Sequence, residues 1–325
     1  MRNPARSSTV RALWWLAPLW LSPLAAQQVS DPDFNASVEN PAYTREGPTV
    51  AIDEAHGNFH TADGRYKPFA DLLRSDGYKV LAFTSTFDAR SLGGIDVLVI
   101  SNARNLPAVQ KGDTSQPAFT DDEIAAIRAW VEGGGALLLI ADHAPFGQAA
   151  ESLAQRFGIA MGKGYAFDRE NDELTTTLAF SRDNRLLGDH PITRGNGASE
   201  AVSHLTTFTG QSLSVPTGAT PLMKMSDSAR EAATPDDLNS EIAAAQSSGS
   251  TRVGARSSSV AGRAQGLAMT IGMGRVVVLG EAAMLSAQIA TFPDGSAVKA
   301  GMNVPGNDNR QFALNTLHWL SGLID

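Results

Sequence analysis

Residues 136–141, Ala-Leu-Leu-Leu-Ile-Ala, form an unbroken apolar run between Gly133-Gly134-Gly135 and the polar pair Asp142-His143. A run of this kind lacks the alternation of a half-exposed strand and suits a strand buried on both faces. Burial on both faces requires helices above and below, so this feature restricts the chain to a layered α/β fold. The surrounding sequence agrees. Residues 49–53, 78–83 and 96–101 read as further strands. Helices are predicted over 66–75, closed by Gly77, and from the capping box Thr120-Asp121-Asp122-Glu123 through Glu132. Such alternation predicts a doubly wound, mostly parallel sheet with helices on both faces.

The second half is less regular. Short strand-like pieces at 205–208 and 221–225 lie among Gly/Pro turns, and the Ser/Ala/Gly-rich, charged stretch 226–262 reads as a mobile insertion. Residues 266–271 and 275–280, split by Gly272-Met273-Gly274, predict a late β-hairpin. Asp308 is placed to cap a final helix over 309–323, with Phe312, Leu317, Trp319 and Leu320 on its buried stripe.

At the other end, Arg2, Arg6 and Arg11 precede a short apolar core at 12–21, and small residues follow at Ala25 and Ala26. The run is too short to span a bilayer and predicts a signal peptide cleaved near Ala26-Gln27. The expected organisation is therefore a signal peptide at 1–26, a polar extended leader at 27–47, and one α/β domain at 48–325. Export implies a periplasmic or secreted protein with no integral membrane segment after cleavage. The chain has no cysteine, which excludes a lipoprotein anchor, disulfides and a thiol nucleophile. Loss of the first 26 residues removes three of the 26 Lys+Arg against 34 Asp+Glu, moving the formal charge from −8 to −11. An acidic chain repels phosphate backbones and anionic lipids, so the composition argues against nucleic acid and membrane-surface partners.

Three apolar strands end in acidic or imidazole groups: Asp53-Glu54-Ala55-His56, Asp142-His143 and Gly280-Glu281. Open parallel sheets bind ligands beyond the carboxyl ends of their strands. If the three strands are neighbours, Asp53, His56, Asp142, His143 and Glu281 converge on one cleft, with Glu54 beside them. Asp53 also suits a role in capping the turn that follows it. His56 and His60 have the i,i+4 spacing of a metal-binding helix face, but Gly57-Asn58 between them argues for a loop. Asp142-His143 must be solvated by a cleft or paired, since burying it alone is costly.

These residues carry a resemblance. Residues 52–58 (IDEAHGN), 139–147 (LIADHAPFG), 207–213 (TFTGQSL), 272–281 and 308–320 resemble the class I glutamine-amidotransferase-like superfamily, in the branch near ThuA-like and gliding-motility-associated domains. The resemblance spans 49–322 and implies a flavodoxin-like sheet. In the amidotransferases proper, the strand matching 136–141 leads to a nucleophilic cysteine. Here that turn reads Asp142-His143-Ala144, so glutamine hydrolysis by a thiolate does not carry over, and no Gly-x-Ser-x-Gly replaces it.

Three readings follow. The first is a hydrolase acting on a small or carbohydrate-like substrate. His143 or His56 serves as base, oriented by Asp142 or Asp53, and Glu54 or Glu281 as acid. Its metal variant uses His56, Asp142 and His143 to hold a divalent ion, for which zinc, manganese and iron are equally suited. The second is a non-catalytic ligand-binding or assembly domain of the cell envelope, with 226–262 as a partner-binding arm. The third is a purely structural polar network.

Overall fold

The apolar runs fold as their burial demands. In the computed structural model, which describes residues 27–170, 173–248, 256–291 and 295–325, they form the middle of a seven-stranded sheet. The expected signal peptide at 1–26 lies outside the described residues, as do 249–255 of the expected insertion. In chain order the elements that position the site are strand β1 (Gln27–Ser30), strand β2 (Thr49–Asp53), helix α1 (Lys67–Ser75), and strands β3 (Lys79–Phe83) and β4 (Val97–Ser101). Helix α2 (Asp121–Glu132), strand β5 (Ala136–Ile140) and helix α3 (Phe146–Gln155) come next. The second half supplies strand β6 (Thr220–Lys224), helix α4 (Pro235–Ser248), and strands β7 (Ala264–Ile271) and β8 (Gly274–Leu279). Strands β9 (Ala287–Thr291) and β10 (Ala297–Gly301) and helix α5 (Asn309–Leu320) complete the set.

The sheet order is β6-β7-β8-β5-β4-β2-β3. Strands β3, β2, β4, β5 and β8 are mutually parallel, while β7 forms the predicted antiparallel hairpin with β8 and pairs β6 at the edge. Alternate side chains of the parallel strands serve two cores. Val50, Val99 and Leu138 pack with Phe69 of α1 and Phe312 of α5, while Leu98, Leu137 and Val278 pack with Ile127 of α2 and Leu153 of α3. All five side chains of β5 are buried, as its unbroken apolar sequence requires.

Local structure adds detail to one expectation and changes two. The polar leader begins as a strand: β1 pairs antiparallel with β9, which pairs with β10 to make a separate three-stranded sheet. The following segment is tied to the body where Val38 N donates to Ser75 Oγ and Ala42 N to Asp76 Oδ1. Within 226–262, helix α4 follows a Thr234 hydroxyl that accepts from Asp237 N at 3.1 Å, and Leu238 and Ile242 pack with Tyr165 and Phe167. One apolar face and one cap order this part of the segment despite its composition. Finally, Asp308 occupies the N-cap of α5 without capping it: its carboxylate accepts instead from Ser203 N, Ser203 Oγ and His204 N. Among the described residues, no helix is long and apolar enough to cross a membrane.

Candidate functional site

The sheet order decides which strand ends meet. Strands β5 and β8 are adjacent, so Asp142 and Glu281 emerge side by side; β4 stands between β5 and β2, and so keeps Asp53, at the end of β2, away from them. The single cleft expected from the sequence is therefore two polar clusters, separated by Ser101 and Asn102 at the end of β4.

The first cluster is Asp53, His56 and a residue the sequence reading used only as a helix cap, Glu123. His56 Nδ1 lies 3.0 Å from both Asp53 carboxylate oxygens, and Nε2 lies 2.9 Å from Glu123 Oε1. The imidazole stacks on Phe87, with centroids 4.6 Å apart, and is almost wholly buried. Burial opposes its charged form, but hydrogen bonds and charge from Asp53 and then Glu123 outweigh this and raise its pKa above the ordinary value. Glu123 shifts the other way. Burial would raise it, but hydrogen bonds from Thr120, the contact with His56 and the imidazolium charge together hold it below the usual carboxylate value. Its second oxygen completes the predicted capping box with Thr120. Both ring nitrogens of His56 face carboxylates, so His56 cannot join Asp142 and His143 as a metal ligand, nor serve as base toward a substrate. Among the described residues no group of three or more His, Asp or Glu side chains is placed to hold a metal ion. Glu54 stands apart from both clusters, accepting from Ala62 N at 2.8 Å.

The second cluster floors a cavity of about 750 Å³, whose lining includes His60, Asn102, Asp142, His143 and Glu281 but not Asp53, Glu54, His56 or Glu123. Glu281 is fully buried; Oε1 accepts from Ala283 N at 2.7 Å and Oε2 from Met284 N at 2.8 Å. Asp142 Oδ1 accepts from His143 N, and Oδ2 from Ala282 N at 3.4 Å. Asp142 and Glu281 are therefore neighbours, since Ala282, whose N–H meets Asp142, directly follows Glu281 in the chain. Burial pushes Glu281 well above the usual range and the nearby Asp142 charge adds to this; burial also raises Asp142, which the charge of His143 partly offsets. Two like charges in so dry a place favour retention of a proton on the pair.

The turn after β5 is fastened by Asn102 and Gln211. Asn102, with φ at 50°, accepts from Asp142 N through Oδ1 at 2.9 Å. Gln211 Nε2 donates to the carbonyls of Ala141 and Asp142 at 2.8 and 2.9 Å. A Cβ at Gly147 would lie 2.4 Å from Gln211 Oε1, so glycine there admits this buried amide. His143 Nδ1 lies 2.8 Å from Ala144 O, which can only accept, so Nδ1 carries the hydrogen and Nε2 is the basic nitrogen of the neutral ring. Nε2 lies 3.9 Å from Asp142 Oδ1, and the ring stacks on Tyr165 with centroids 4.6 Å apart.

His60, four residues from His56, turns to the cavity instead. Its Nδ1 lies 3.3 Å from Ser101 Oγ, its ring packs on Tyr66, and burial followed by the charge of Arg65 lowers its pKa to about 3. The Tyr66 hydroxyl donates to Ala282 O at 2.9 Å, joining this wall to the Glu281 turn. Asn102 and Gln211 were beyond sequence reasoning, although Gln211 lies in the 207–213 stretch that carries part of the resemblance. Of the other histidines, His318 pairs with buried Asp76 at 2.7 Å, and His190 packs on Trp319.

No protein-family model matches the chain, and no curated protein matches it by sequence. Among solved structures, it is similar to the mmIFT52 N-terminal domain at a TM-score of 0.54 and 15% identity, over 84% of this chain and 97% of that one. The likeness is one of fold. Looser matches include ThuA-like proteins from Bacteroides uniformis (TM-score 0.39, 10% identity, 89% of this chain and 94% of that one) and from Parabacteroides merdae (TM-score 0.38, 11% identity, 85% and 90%).

Proposed function

We propose that the chain is an exported, glutamine-amidotransferase-like domain of flavodoxin-like build that hydrolyses a small substrate by acid–base chemistry in this cavity. Support for the kinship comes from the matching stretches and from the parallel strands, which stand in the order second, first, third, fourth, fifth, the flavodoxin-like arrangement. The observation that carries the activity is the placing of the Asp142 carboxyl on the N–H of Ala282, next to buried Glu281, beside His143 and beneath a cavity. In this mechanism His143 Nε2 takes a proton from water, and Asp142 stabilises the imidazolium that results. Glu281, the deeper acid, holds the proton needed by the leaving group.

Purified protein assayed against ester, amide and glycoside panels tests the reading. Turnover should fall about 10²–10⁴-fold in both His143→Ala and Asp142→Asn. Turnover unchanged in both variants would overturn it. An inert wild type would favour the second reading, a non-catalytic ligand-binding domain. That reading draws on one observation: both Glu281 oxygens already accept backbone N–H groups.

A further inference from the structure

Among the described residues the cavity is lined by two cations with different surroundings. Lys299 is paired with Asp31 at 3.2 Å. Arg65 has no ion-pair partner among the described residues. It is half-buried, its nearest polar contact is Gln28 Oε1 at 3.4 Å from Nη1, and its guanidinium carbon sits 3.9 Å from the centroid of the Phe59 ring. Burial lowers its pKa from the ordinary value, so the protein bears a cost for holding this charge without a counter-ion.

From Arg65 a chain of rings leads to the floor. Phe59 and Phe146 have centroids 5.7 Å apart, Phe146 and His143 6.4 Å, and His143 stacks on Tyr165. A guanidinium on one aromatic face presents a planar fork of donors that fits a carboxylate. The rings beyond it suit an apolar body. Protonation of the Asp142–Glu281 pair limits the repulsion that a bound anion would meet from the floor.

We propose that the cavity takes a small carboxylic acid, or an ester or amide derivative that keeps a free carboxylate, with Arg65 gripping the carboxylate and the Phe59–Phe146–His143 wall covering an aromatic or alkyl body. This rests on the reading that the cavity is the ligand site and names the class of ligand, but does not require turnover. The probes are 4-phenylbutanoate and its uncharged analogue 4-phenylbutan-1-ol, titrated calorimetrically into the full protein at pH 7. The acid should bind about tenfold or more tighter than the alcohol. Arg65→Gln should abolish that preference while leaving alcohol binding within twofold, and Arg65→Lys should keep part of it. Equal binding of acid and alcohol to the wild type, a preference that survives in Arg65→Gln, or no binding of either would each overturn the proposal. Should Arg65→Gln fail to fold, Arg65→Lys with an undiminished preference that also ignores added salt would overturn it. Acid-selective binding by a protein that turns over no panel substrate would retain this inference and discard hydrolysis.

Discussion

The two polar clusters are built from the same residue types at the ends of strands of one sheet, yet they differ in their balance of charge. In the Asp53–His56–Glu123 cluster two carboxylates flank one imidazole, and the carboxylate oxygens take further donors from Ala55, Thr120 and Phe87. In the Asp142–His143–Glu281 cluster the histidine directs Nδ1 to a carbonyl, and the two acids are neighbours, Asp142 meeting the N–H of the residue after Glu281. The first is a closed account of donors and acceptors that braces α2 against the β2 end. The second keeps surplus acidity next to a cavity. Residue identity does not separate brace from site; what separates them is whether each acid meets a base.

The sharpest way to break the comparison is to remove the brace. His56→Ala leaves Asp53 and Glu123 buried without their cation and should cost about 3–5 kcal/mol, read as a lower denaturant midpoint at unchanged m-value. Activity per folded molecule should hold. Retained stability with lost activity would return His56 to the chemistry.

Next in size is the pH dependence of stability. Glu281 and Asp142 have raised pKa values in the folded state, so the native protein binds extra protons above pH about 4. Their contribution to stability is present at low pH and is lost as pH rises through the folded values, at no more than about 1.4 kcal/mol per pH unit for each proton. His56, also raised, adds stability that disappears only as pH climbs through its folded value above 6.5. Lowered groups have the opposite sign: Glu123 stops contributing as pH falls through its value below 4.5, and neutral His60 as pH falls from 6.5 toward about 3. The difference between wild type and Glu281→Gln isolates the second cluster. That variant should gain on the wild type as pH rises from 5 to 8, whereas parallel curves would mean that Glu281 is ionised throughout. The smallest effect belongs to Thr120→Ala, which removes half of the capping box and should cost about 1 kcal/mol by chemical denaturation, with Thr120→Ser close to wild type.

Much of the frame was legible because it depends on local sequence. The all-buried β5, the Thr120–Glu123 box and the β7–β8 hairpin each follow from a few adjacent residues. The floor was legible in part, since Asp142, His143 and Glu281 end apolar runs. Which runs lie side by side was not, because the order that inserts β4 between β2 and β5 is fixed by tertiary packing. Glu123 shows the limit well: its cap lies three residues away in sequence, but its other partner, His56, lies 67 residues away across the sheet. Strand β1 and Arg65 were missed for the same reason. Four residues with a single valine among them give no strand signal without β9, and an arginine in a loop has no meaning until the wall beside it is known.

Gln28 of β1, Leu238 of α4 and Gln288 of β9 all line the cavity whose floor hangs on β5 and β8. The floor of the cavity and part of its walls are thus carried on separate stretches of chain. Exchanging α4 or the β9–β10 hairpin would change these walls while the acid pair and His143 stayed in register. In this fold, part of the cavity wall can diversify without disturbing the floor.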